Sequence, residues 1–452
     1  DTGFLTMSEK SQWCSKLGFI LASAGSSIGL GAGWKFPYMT ATNGGGGFLL
    51  VFLISTILIG FPLLLAEFAL GRSAGVSAIK TFGKLGNNQK YNFIGWIGAF
   101  ALFILLSFYS VIGGWILIYL GVALGELFQL LSVSDYTQLF GEIISNPWLA
   151  LGAQAIFILL NVLIVSKGVE QGIEKASKFM MPLLFIIFLV MIGRSLTLPG
   201  AWEGVSYFLK PDFSKMTSQG LLYALGQSFF ALSLGVTAML TYASYLDKDT
   251  DLVQSGISVV FMNIAVSIMA GLAIFPAMSA FQIPSTSGPG LLFVVLPQVF
   301  DKMPFGTLFY LLFLLLFLFA TITSSVVMLE INVGNVTNQN NKKRAKWSQI
   351  IGLLTFVFGI PSALSYGVLS KWTLFGKSFF DCMDFLVSNL LMPFGALCLS
   401  LFTGYIFDQV LAQEELKVGE EKSKRFFFKL WIFLLRFVIP IVILIVFITQ
   451  FI

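Results

Sequence analysis

The first hydrophobic segment of the chain is unusually rich in glycine and serine. Residues 25–33 read Gly-Ser-Ser-Ile-Gly-Leu-Gly-Ala-Gly, and Lys35 and Pro37 follow. Each glycine destabilises a helix interior by about 1 kcal/mol relative to alanine. In lipid, an interrupted backbone is tolerated only where it is buried in protein or lines a wet cavity. The stretch therefore predicts freed backbone N–H and C=O groups that hold a polar ligand in the middle of a membrane.

Composition places these groups in a membrane protein. Of 452 residues, 57% are hydrophobic and 11% are charged, whereas soluble proteins carry about 25% charged residues. The absence of histidine removes the commonest general base and transition-metal ligand. Cys14, Cys382 and Cys398 are too widely spaced to suggest a metal cluster or a disulfide framework. An intramembrane enzyme is therefore disfavoured.

Eleven segments are long and apolar enough to cross a bilayer of about 30 Å as helices. They lie near residues 17–37, 46–70, 93–124, 149–166, 176–195, 219–244, 254–280, 305–333, 347–365, 380–404 and 430–450. The connections on one side hold most of the 27 Lys and Arg residues. The positive-inside rule then predicts the N-terminus inside and the C-terminus outside. The connection 281–304 predicts a re-entrant or capping hairpin.

A second interruption is predicted in the sixth segment, at Gly226–Gly235, which reads Gly-Gln-Ser-Phe-Phe-Ala-Leu-Ser-Leu-Gly. If the first ten helices form two sets of five, about 17–195 and 219–404, the two interruptions occupy matching positions. An odd repeat length inverts the second set relative to the first, and matched interruptions point to a transporter's binding site. The chain is thus predicted to be one all-α transport domain, 1–452, with an extra helix near 430–450.

These motifs, with three others, resemble the neurotransmitter:sodium symporter family, in its bacterial amino-acid branch. They are Gly25–Pro37 with Asn43–Gly47, Glu67–Arg72, Gly226–Gly235, Thr241–Tyr245 and Thr323–Ser325. The resemblance covers essentially the whole chain, and the eleven segments are similar to a prokaryotic subset that includes multi-hydrophobic amino acid transporters. It implies a polytopic LeuT-like fold with broken helices 1 and 6. It also implies import of hydrophobic L-amino acids with Na⁺, by alternating access, across a bacterial cytoplasmic membrane.

The resemblance places the substrate at the two broken helices. Backbone N–H groups at Leu30 and Gly31 and the hydroxyl of Tyr109 would bind the carboxylate, and carbonyls near the breaks would bind the ammonium group. Gly29 stands where amine-transporting relatives carry an aspartate, which favours a zwitterion. The remaining residues expected to contact the substrate are Ser26, Ser27, Leu105, Phe230, Ser233, Val236, Ser324 and Met328. The apolar subsite suggests Leu, Ile, Val, Met, Phe, Tyr or Trp.

Sodium ligands are implied in the same way. One site would use carbonyls of Gly25, Ile28 and Ala320 with hydroxyls of Thr323 and Ser324. A second site departs from the family because Ala32 and Ala231 lack side-chain oxygens. It would retain Asn263, the backbone carbonyls of Ser27 and Ala231, and the substrate carboxylate. Whether one or two sodium ions bind is open at this point.

The family's gates and anion site have partial counterparts. Lys35 and Asp384 resemble the outer gate, with Phe230 as the aromatic lid. Lys10 and Trp13 resemble an inner latch; its usual aspartate partner aligns with Asn338, and Tyr245 is the candidate to take its place. The side chains of Gln227, Asn263 and Ser267 resemble those that hold chloride in chloride-dependent relatives, although Phe52 replaces the usual tyrosine.

Two other functions remain open from the sequence. A sodium-dependent amine or osmolyte symporter would share this fold, and a membrane sensor would bind the ligand without moving it. The expected partners are the lipid bilayer and a hydrophobic amino acid, not nucleic acid. The oligomeric state is not indicated.

Overall fold

The protein is described by a computed structural model, which covers residues 10–30, 35–282 and 291–452. The helices of the first half begin with the interrupted segment. They are α1 Lys16–Leu30, α2 Phe36–Thr42, α3 Gly46–Ser55, α4 Phe61–Ala74, α5 Ala78–Leu85, α6 Phe93–Leu127, α7 Tyr136–Ser145, α8 Pro147–Ser166 and α9 Lys175–Leu196. π-helical turns Thr56–Gly60 and Val169–Glu174 lead into α4 and α9.

The second half repeats this arrangement of long helices around a broken one. Its helices are α10 Ala201–Leu209, α11 Ser218–Phe230, α12 Ala238–Ala243, α13 Leu252–Phe281, α14 Leu296–Asp301, α15 Gly306–Thr337, α16 Arg344–Ala363, α17 Phe379–Phe385 and α18 Met392–Leu401. The C-terminal part contains α19 Gln409–Glu415, α20 Lys422–Phe433 and α21 Ile439–Thr449. Further π-helical turns are Leu291–Val295, Leu386–Leu391, Phe402–Ile406 and Leu434–Val438.

Within the described residues, eight continuous helical stretches are long and apolar enough to cross a membrane. They are Gly46–Ala74, Gln89–Leu127, Pro147–Ser166, Val169–Leu196, Leu252–Phe281, Gly306–Thr337, Phe379–Ile406 and Lys422–Thr449. The other three predicted segments are the two interrupted ones and the 20-residue α16, which opens with Arg344 and Lys346. The all-α, multi-pass interpretation of the sequence is confirmed.

The first helix is interrupted at Gly29, as the sequence predicts. Gly29 has φ 29° and ψ −145°, which is not helical. A side chain would not fit there, because a Cβ built on Gly29 would lie 2.1 Å from Ser324 Oγ. The close approach to α15 thus requires glycine. Residues 31–34, which include the predicted Gly31 and Ala32, lie outside the described part of the chain.

The second break overlaps the predicted interval Gly226–Gly235 but begins and ends later, at residues 231–237. Helix α11 continues to Phe230, and α12 begins at Ala238. Between them Ser233, Gly235 and Thr237 have φ values of 54°, 86° and 61°. A positive φ is rare for serine and rarer for a β-branched threonine. Such strained backbone clusters at functional sites, so this non-helical linker is a candidate part of the functional site.

A buried carboxyl group faces the second break. Glu67 of α4 is fully buried and lies against the backbone of Gly235, Thr237 and Leu240. Backbone N–H groups freed by a helix break need an acceptor when water is excluded. Both Glu67 carboxylate oxygens are buried and make no hydrogen bond among the described residues, so the carboxyl group lies beside the broken backbone without bonding to it in this structure. The two breaks face the long helices α6, α13 and α15, which form the centre of the core.

Candidate functional site

A cavity of about 300 Å³ lies where the two breaks meet α6 and α15. Most residues predicted to contact the substrate line it. They are Ser26, Ser27, Gly29, Leu105, Tyr109, Phe230, Ser233, Val236, Ser324 and Met328. Of the other predicted contacts, Gly31 lies outside the described residues, and Leu30 is described only as the last residue of α1. The volume is at the lower end of the range for small-molecule sites.

One end of the cavity is polar because of the break in α1. Tyr109 projects from α6, and the position of a Cβ on Gly29 would lie 3.1 Å from its hydroxyl oxygen. Ser324 of α15 approaches the same break and donates a hydrogen bond to the Ser26 carbonyl at 2.9 Å. A phenolic and an aliphatic hydroxyl therefore converge on the interrupted backbone. This end can bind a carboxylate by hydrogen bonds without a cationic side chain.

The backbone carbonyl of Ser26 also connects the two broken helices. The Ser233 hydroxyl donates to this carbonyl across the cavity at 3.3 Å. Ser26 itself is buried, and its hydroxyl has no hydrogen-bond partner among the described residues. Carbonyl and hydroxyl oxygens here offer acceptors for an ammonium group.

The opposite wall is apolar. Leu105, Val236 and Met328 were predicted to line it, and the structure adds Leu102, Phe108, Ile112, Ala238 and Val327. Leu102, Leu105 and Ile112 recur on α6 at helical spacing with Tyr109, so one face of this helix supplies both the hydroxyl and much of the apolar wall. Met328 is unbranched and can adapt its shape. The cavity thus pairs a polar end with an adaptable hydrophobic wall.

The proposed sodium ligands of α1 and α15 lie together. Thr323 Oγ1 is 3.2 Å and Ser324 Oγ is 3.1 Å from the Gly25 carbonyl oxygen. Thr323 Oγ1 is also 3.0 Å from the Ala320 carbonyl oxygen. Ile28 is fully buried one residue before the break. A hydroxyl can rotate its proton away and present lone pairs, so these oxygens fit a small hard cation.

Asn263 of α13 occupies the place of the second proposed sodium site. Its amide nitrogen donates to the carbonyls of Ser27 and Ala231, at 3.3 Å and 3.1 Å, and lies 3.4 Å from Ser27 Oγ. Its amide oxygen is buried without a hydrogen-bond partner among the described residues. An amide can exchange its oxygen and nitrogen by a flip. After such a flip, the Asn263 oxygen would face the carbonyl oxygens of Ser27 and Ala231, an arrangement that would need a cation between them.

The remaining chloride-site candidates are close to this asparagine. Ser267 Oγ donates to the Asn263 carbonyl at 3.0 Å, within α13. Gln227 is buried in α11. Phe52 is packed against Phe36, with ring centroids 4.6 Å apart. The Ser267 hydroxyl thus bonds within its own helix. Phe52 stands at the position of the tyrosine in the resemblance and has no hydroxyl to offer.

The residues predicted to form one gate lie together at one end of the cavity. Lys35 Nζ lies over the Phe230 ring, 3.8 Å from its centroid. Asp384 also lines the cavity and accepts a hydrogen bond from Ser388 at 2.9 Å. Lys35 and Asp384 interact electrostatically, but within the described chain no ion pair joins them directly. The contact that the lysine makes with the lid is therefore a cation–π interaction.

The residues of the candidate latch, Lys10 and Asn338, have separate partners. Lys10 donates to the Gly75 carbonyl at 3.0 Å, whereas Asn338 accepts a hydrogen bond from Lys80. Burial lowers the pKa of the Lys10 ammonium group, and the nearby cations Lys84 and Lys248 add to that effect. Lys10 and Asn338 thus have different partners, because a neutral amide gives the Lys10 cation no charge to pair with.

The N-terminal segment is held by a buried ion pair that was not predicted. Arg344 forms two hydrogen bonds to the carboxylate of Glu330, and both residues are almost fully buried. Tyr245 donates to the same carboxylate at 2.6 Å, and Ser11 Oγ lies 2.5 Å from the guanidinium. A charge buried at such a place must be paired.

Trp13 holds the N-terminal segment to the second broken helix. Its indole N–H donates to the Tyr242 carbonyl at 2.7 Å, and its backbone N–H donates to the Tyr245 carbonyl at 3.3 Å. The segment before α1 is thus attached to α12 on one side and to the Arg344–Glu330 pair on the other. These contacts lie at the N-terminal end of α1, whereas Lys35 follows its C-terminal end.

The family of the chain follows from its similarity to known proteins. Residues 10–137 and 141–452 match the sodium:neurotransmitter symporter family. The chain belongs to this family. Symporters of this family are transporters rather than enzymes, so the chain is a sodium-dependent symporter with a LeuT-like fold.

Relatives and a solved structure agree with this family over nearly the full length. An uncharacterized sodium-dependent transporter of Bacillus subtilis, YhdH, is 50% identical over 97% of each chain. An uncharacterized sodium-dependent transporter of Haemophilus influenzae is 34% identical over 98% of each chain. The crystal structure of MhsT in complex with L-phenylalanine superposes with a TM-score of 0.89 at 40% identity, covering 97% of this chain and 99% of that one.

Proposed function

We propose that this symporter imports hydrophobic L-amino acids with Na⁺ across a bacterial cytoplasmic membrane. The observation that carries the proposal is the cavity itself, in which hydroxyl and carbonyl groups at two helix breaks face an apolar wall. A zwitterion with a hydrophobic side chain is complementary to both ends. The solved relative in complex with L-phenylalanine supports the same substrate class.

An amine or osmolyte is the alternative substrate. A GABA transporter of Drosophila, described as sodium- and chloride-dependent, is 24% identical over 95% of this chain and 51% of that protein. An amine without a carboxylate would leave the hydroxyl of Tyr109 and the break at Gly29 without the anion that they suit. GABA has a carboxylate, but its ammonium group lies at the far end of its carbon chain and would face the apolar wall. An acidic side chain at Gly29, which would compensate, has no space beside Ser324. These contacts favour the amino acid.

A binding screen of the twenty amino acids, with GABA and choline added, would test this choice. Purified protein is incubated with each compound in NaCl or in KCl, and displacement of bound radiolabelled leucine is measured. Hydrophobic amino acids should compete, and only in NaCl. Displacement by GABA or choline alone would contradict the proposed substrate.

We propose that two sodium ions are co-transported. The first would be held by Gly25, Ile28, Ala320, Thr323 and Ser324. The oxygens of Gly25, Ala320, Thr323 and Ser324 adjoin one another. The second would be held by Asn263 and the carbonyls of Ser27 and Ala231, with the substrate carboxylate completing the shell. Because the carboxylate would contribute to the second shell, ion and amino acid would stabilise each other in the site.

Chloride has little support in these contacts, and we propose that transport does not require it. The hydroxyl of Ser267 is used within its helix, and Asn263 faces carbonyl groups that suit a cation. Replacing chloride by gluconate should therefore leave uptake unchanged. A loss of uptake in gluconate would contradict this part of the account.

Alternating access would use the gates at the two ends of the cavity. Lys35, Phe230 and Asp384 would close the outer end over the substrate, and the Arg344–Glu330 pair with Trp13 would open at the inner end. The N-terminus would lie in the cytoplasm and the C-terminus outside. Intact cells should therefore protect Cys14 from a membrane-impermeant maleimide, and permeabilised cells should not.

A further inference from the structure

A cation lies within the C-terminal membrane-spanning stretch, Lys422–Thr449. It is Arg436, which is half-buried. Among the described residues, no carboxylate lies within ion-pair distance of its guanidinium. A charge inside a membrane-spanning segment is costly and is normally paired. The charge of Arg436 therefore calls for a partner from outside the described chain.

Arg436 lies where two π-helical turns meet. It belongs to the turn Leu434–Val438, whereas Gly404 and Tyr405 belong to the turn Phe402–Ile406. Arg436 Nε donates to the Gly404 carbonyl at 2.6 Å, and the Tyr405 hydroxyl donates to the Arg436 carbonyl at 3.1 Å. A Cβ built on Gly404 would lie 2.9 Å from Arg436 Cγ, so glycine permits this close approach. The two turns thus fix the position of the arginine side chain.

Most of the guanidinium remains available to a ligand. The group carries five N–H donors, and among the described residues only the Nε donor makes a hydrogen bond. The guanidinium carbon lies 5.4 Å from the centroid of the Tyr405 ring, and Tyr405 is 55% exposed. Tyrosine is enriched where a membrane meets water. The free donors therefore lie at the surface of the protein, beside an aromatic residue typical of the membrane interface.

Three further cations share a helical face with Arg436. Lys429, Arg425 and Lys422 precede it at intervals of seven, four and three residues, a spacing that repeats on one side of a helix. All three are exposed, and none lies within ion-pair distance of a described carboxylate. Arg436 lies about 10 Å farther along the helix axis than Lys429. The four side chains form a basic stripe that runs from the start of α20 into the apolar segment.

The surroundings of Arg436 are apolar as well as exposed. Phe433 and Phe437, which lie before and after it on the helix, are each 50% exposed, and Ile406 beside Tyr405 is 36% exposed. A soluble anion would lose its hydration among these side chains. A phospholipid, in contrast, carries an anionic phosphate directly above its acyl chains. This face thus complements the boundary between lipid headgroup and hydrocarbon.

We propose that Arg436 and Lys429 bind the headgroup phosphate of an anionic phospholipid. A guanidinium can hold two phosphate oxygens at once, and cations near the start of a membrane-spanning helix attract anionic lipids. The bound lipid would lie across the two π-helical turns and join the segments that contain them. In the proposed orientation of the chain, this lipid belongs to the cytoplasmic leaflet. The site is separate from the substrate cavity and does not depend on which amino acid is transported.

Lipid titration followed by native mass spectrometry would test the proposal. Purified, delipidated protein is titrated with phosphatidylglycerol or with phosphatidylcholine of the same acyl chains. The parent should bind phosphatidylglycerol more tightly. Arg436→Gln should lower the affinity for phosphatidylglycerol on the order of tenfold, as expected for the loss of a charged hydrogen-bond partner, and should leave the affinity for phosphatidylcholine unchanged. Phosphatidylglycerol should also raise the thermal unfolding midpoint of the parent more than that of the Arg436→Gln protein.

Lys424→Gln is the matched control. It removes the same charge from an exposed residue of the same helix, but Lys424 lies off the basic stripe, with its ammonium group 3.7 Å from the Glu421 carboxylate. This variant should bind phosphatidylglycerol with the affinity of the parent.

Equal affinities of the parent for the two lipids would overturn the proposal, as would parent-like binding of phosphatidylglycerol by the Arg436→Gln protein. Equal losses in Arg436→Gln and Lys424→Gln would also overturn it, because they would show an effect of net charge alone. If inorganic phosphate raised the unfolding midpoint as much as the lipid does, the ligand would be a soluble anion, and the proposal would fail. If the Arg436→Gln protein does not fold, Lys429→Gln should lower the affinity for phosphatidylglycerol to a smaller extent, and parent-like affinity there overturns the proposal.

Discussion

Gly29 and Ser324 are in such close contact that a Cβ on Gly29 would lie 2.1 Å from the serine hydroxyl oxygen. This contact joins the break in α1 to α15, the helix that also carries Thr323. The same serine hydroxyl lies 3.1 Å from the Gly25 carbonyl oxygen. The substrate end of the cavity and the proposed sodium site therefore share one side chain, which gives a physical basis for coupling the ion to the amino acid.

Gly29→Ala should reduce sodium-dependent amino acid binding by on the order of tenfold or more, because the new methyl group must displace Ser324 or reshape the break. The backbone of Gly29, at φ 29°, adds strain for any other residue. The measurement is the Kd of the amino acid in NaCl. Gly121→Ala is the matched control, since a Cβ at Gly121 of α6 meets nothing within 4 Å. Equal affinities of the Gly29→Ala protein and the parent would contradict the proposed packing.

Thr323→Ala should raise the sodium concentration for half-maximal binding on the order of tenfold, as expected for the loss of one oxygen that contacts a charge. Adding Ser324→Ala should abolish the sodium dependence. Thr321→Ala provides the control, because the Thr321 hydroxyl is buried but bonds only the Phe317 carbonyl of its own helix, at 2.6 Å. Unchanged sodium dependence in the double variant would show that the ion binds elsewhere.

Asn263→Ala should lower the Hill coefficient of sodium activation towards that of a single-site process, because it removes the side-chain oxygen of the second proposed site. Apparent affinity for the amino acid should fall as well, since its carboxylate would share this ion. Ser267→Ala, one turn along α13, removes a hydroxyl that bonds only within the helix and should leave the coefficient unchanged. An unaltered coefficient in the Asn263→Ala protein would exclude a second ion at this place.

The membrane-spanning segments and both breaks could be predicted from the sequence, since length, apolar composition and clustered glycines govern them directly. The position of the second break was predicted less well. Gly226–Phe230 contains glycine and serine yet is helical, whereas the actual linker includes Thr237 in a left-handed conformation. The intrinsic conformational preference of a β-branched residue disfavours the left-handed conformation of Thr237, and tertiary contacts around Glu67 override that preference.

The cavity wall was predicted only in part because π-helical turns change which residues share a face. Leu102, Leu105 and Ile112 follow regular helical spacing and could have been identified together. Phe380 and Met392 also line the cavity, but the π-helical turn Leu386–Leu391 lies between them. A sequence pattern based on a constant 3.6-residue period does not bring these two residues to one side.

The buried Arg344–Glu330 ion pair could not be predicted, because neither residue carries a sequence signal that points to the other. Arg344 falls in a cluster of cations, Lys342 to Lys346, that the positive-inside rule already explains. Glu330 lies among apolar residues at the end of α15 without a visible partner. Only the folded arrangement brings this pair to the hydroxyls of Tyr245 and Ser11.

Cys14 should react with maleimide more slowly at neutral pH than an unperturbed thiol. The carboxylate of Glu170, and after it that of Glu174, raises the pKa of the Cys14 thiol. A raised pKa leaves less of the reactive thiolate at a given pH, so the curve of labelling rate against pH should shift to higher pH. In protein with Cys382→Ser and Cys398→Ser, Glu170→Gln should shift the curve back to lower pH. An identical curve with and without Glu170 would contradict this assignment.

Uptake by proteoliposomes tests the central claim most directly. Purified protein is reconstituted, an inward sodium gradient is imposed, and the internal concentration of radiolabelled leucine is measured with unlabelled GABA as a competitor. The account predicts that leucine rises above its external concentration, that potassium in place of sodium abolishes this rise, and that GABA does not compete. Sodium-dependent binding without accumulation would show a sensor rather than a symporter, and inhibition by GABA would contradict the proposed substrate.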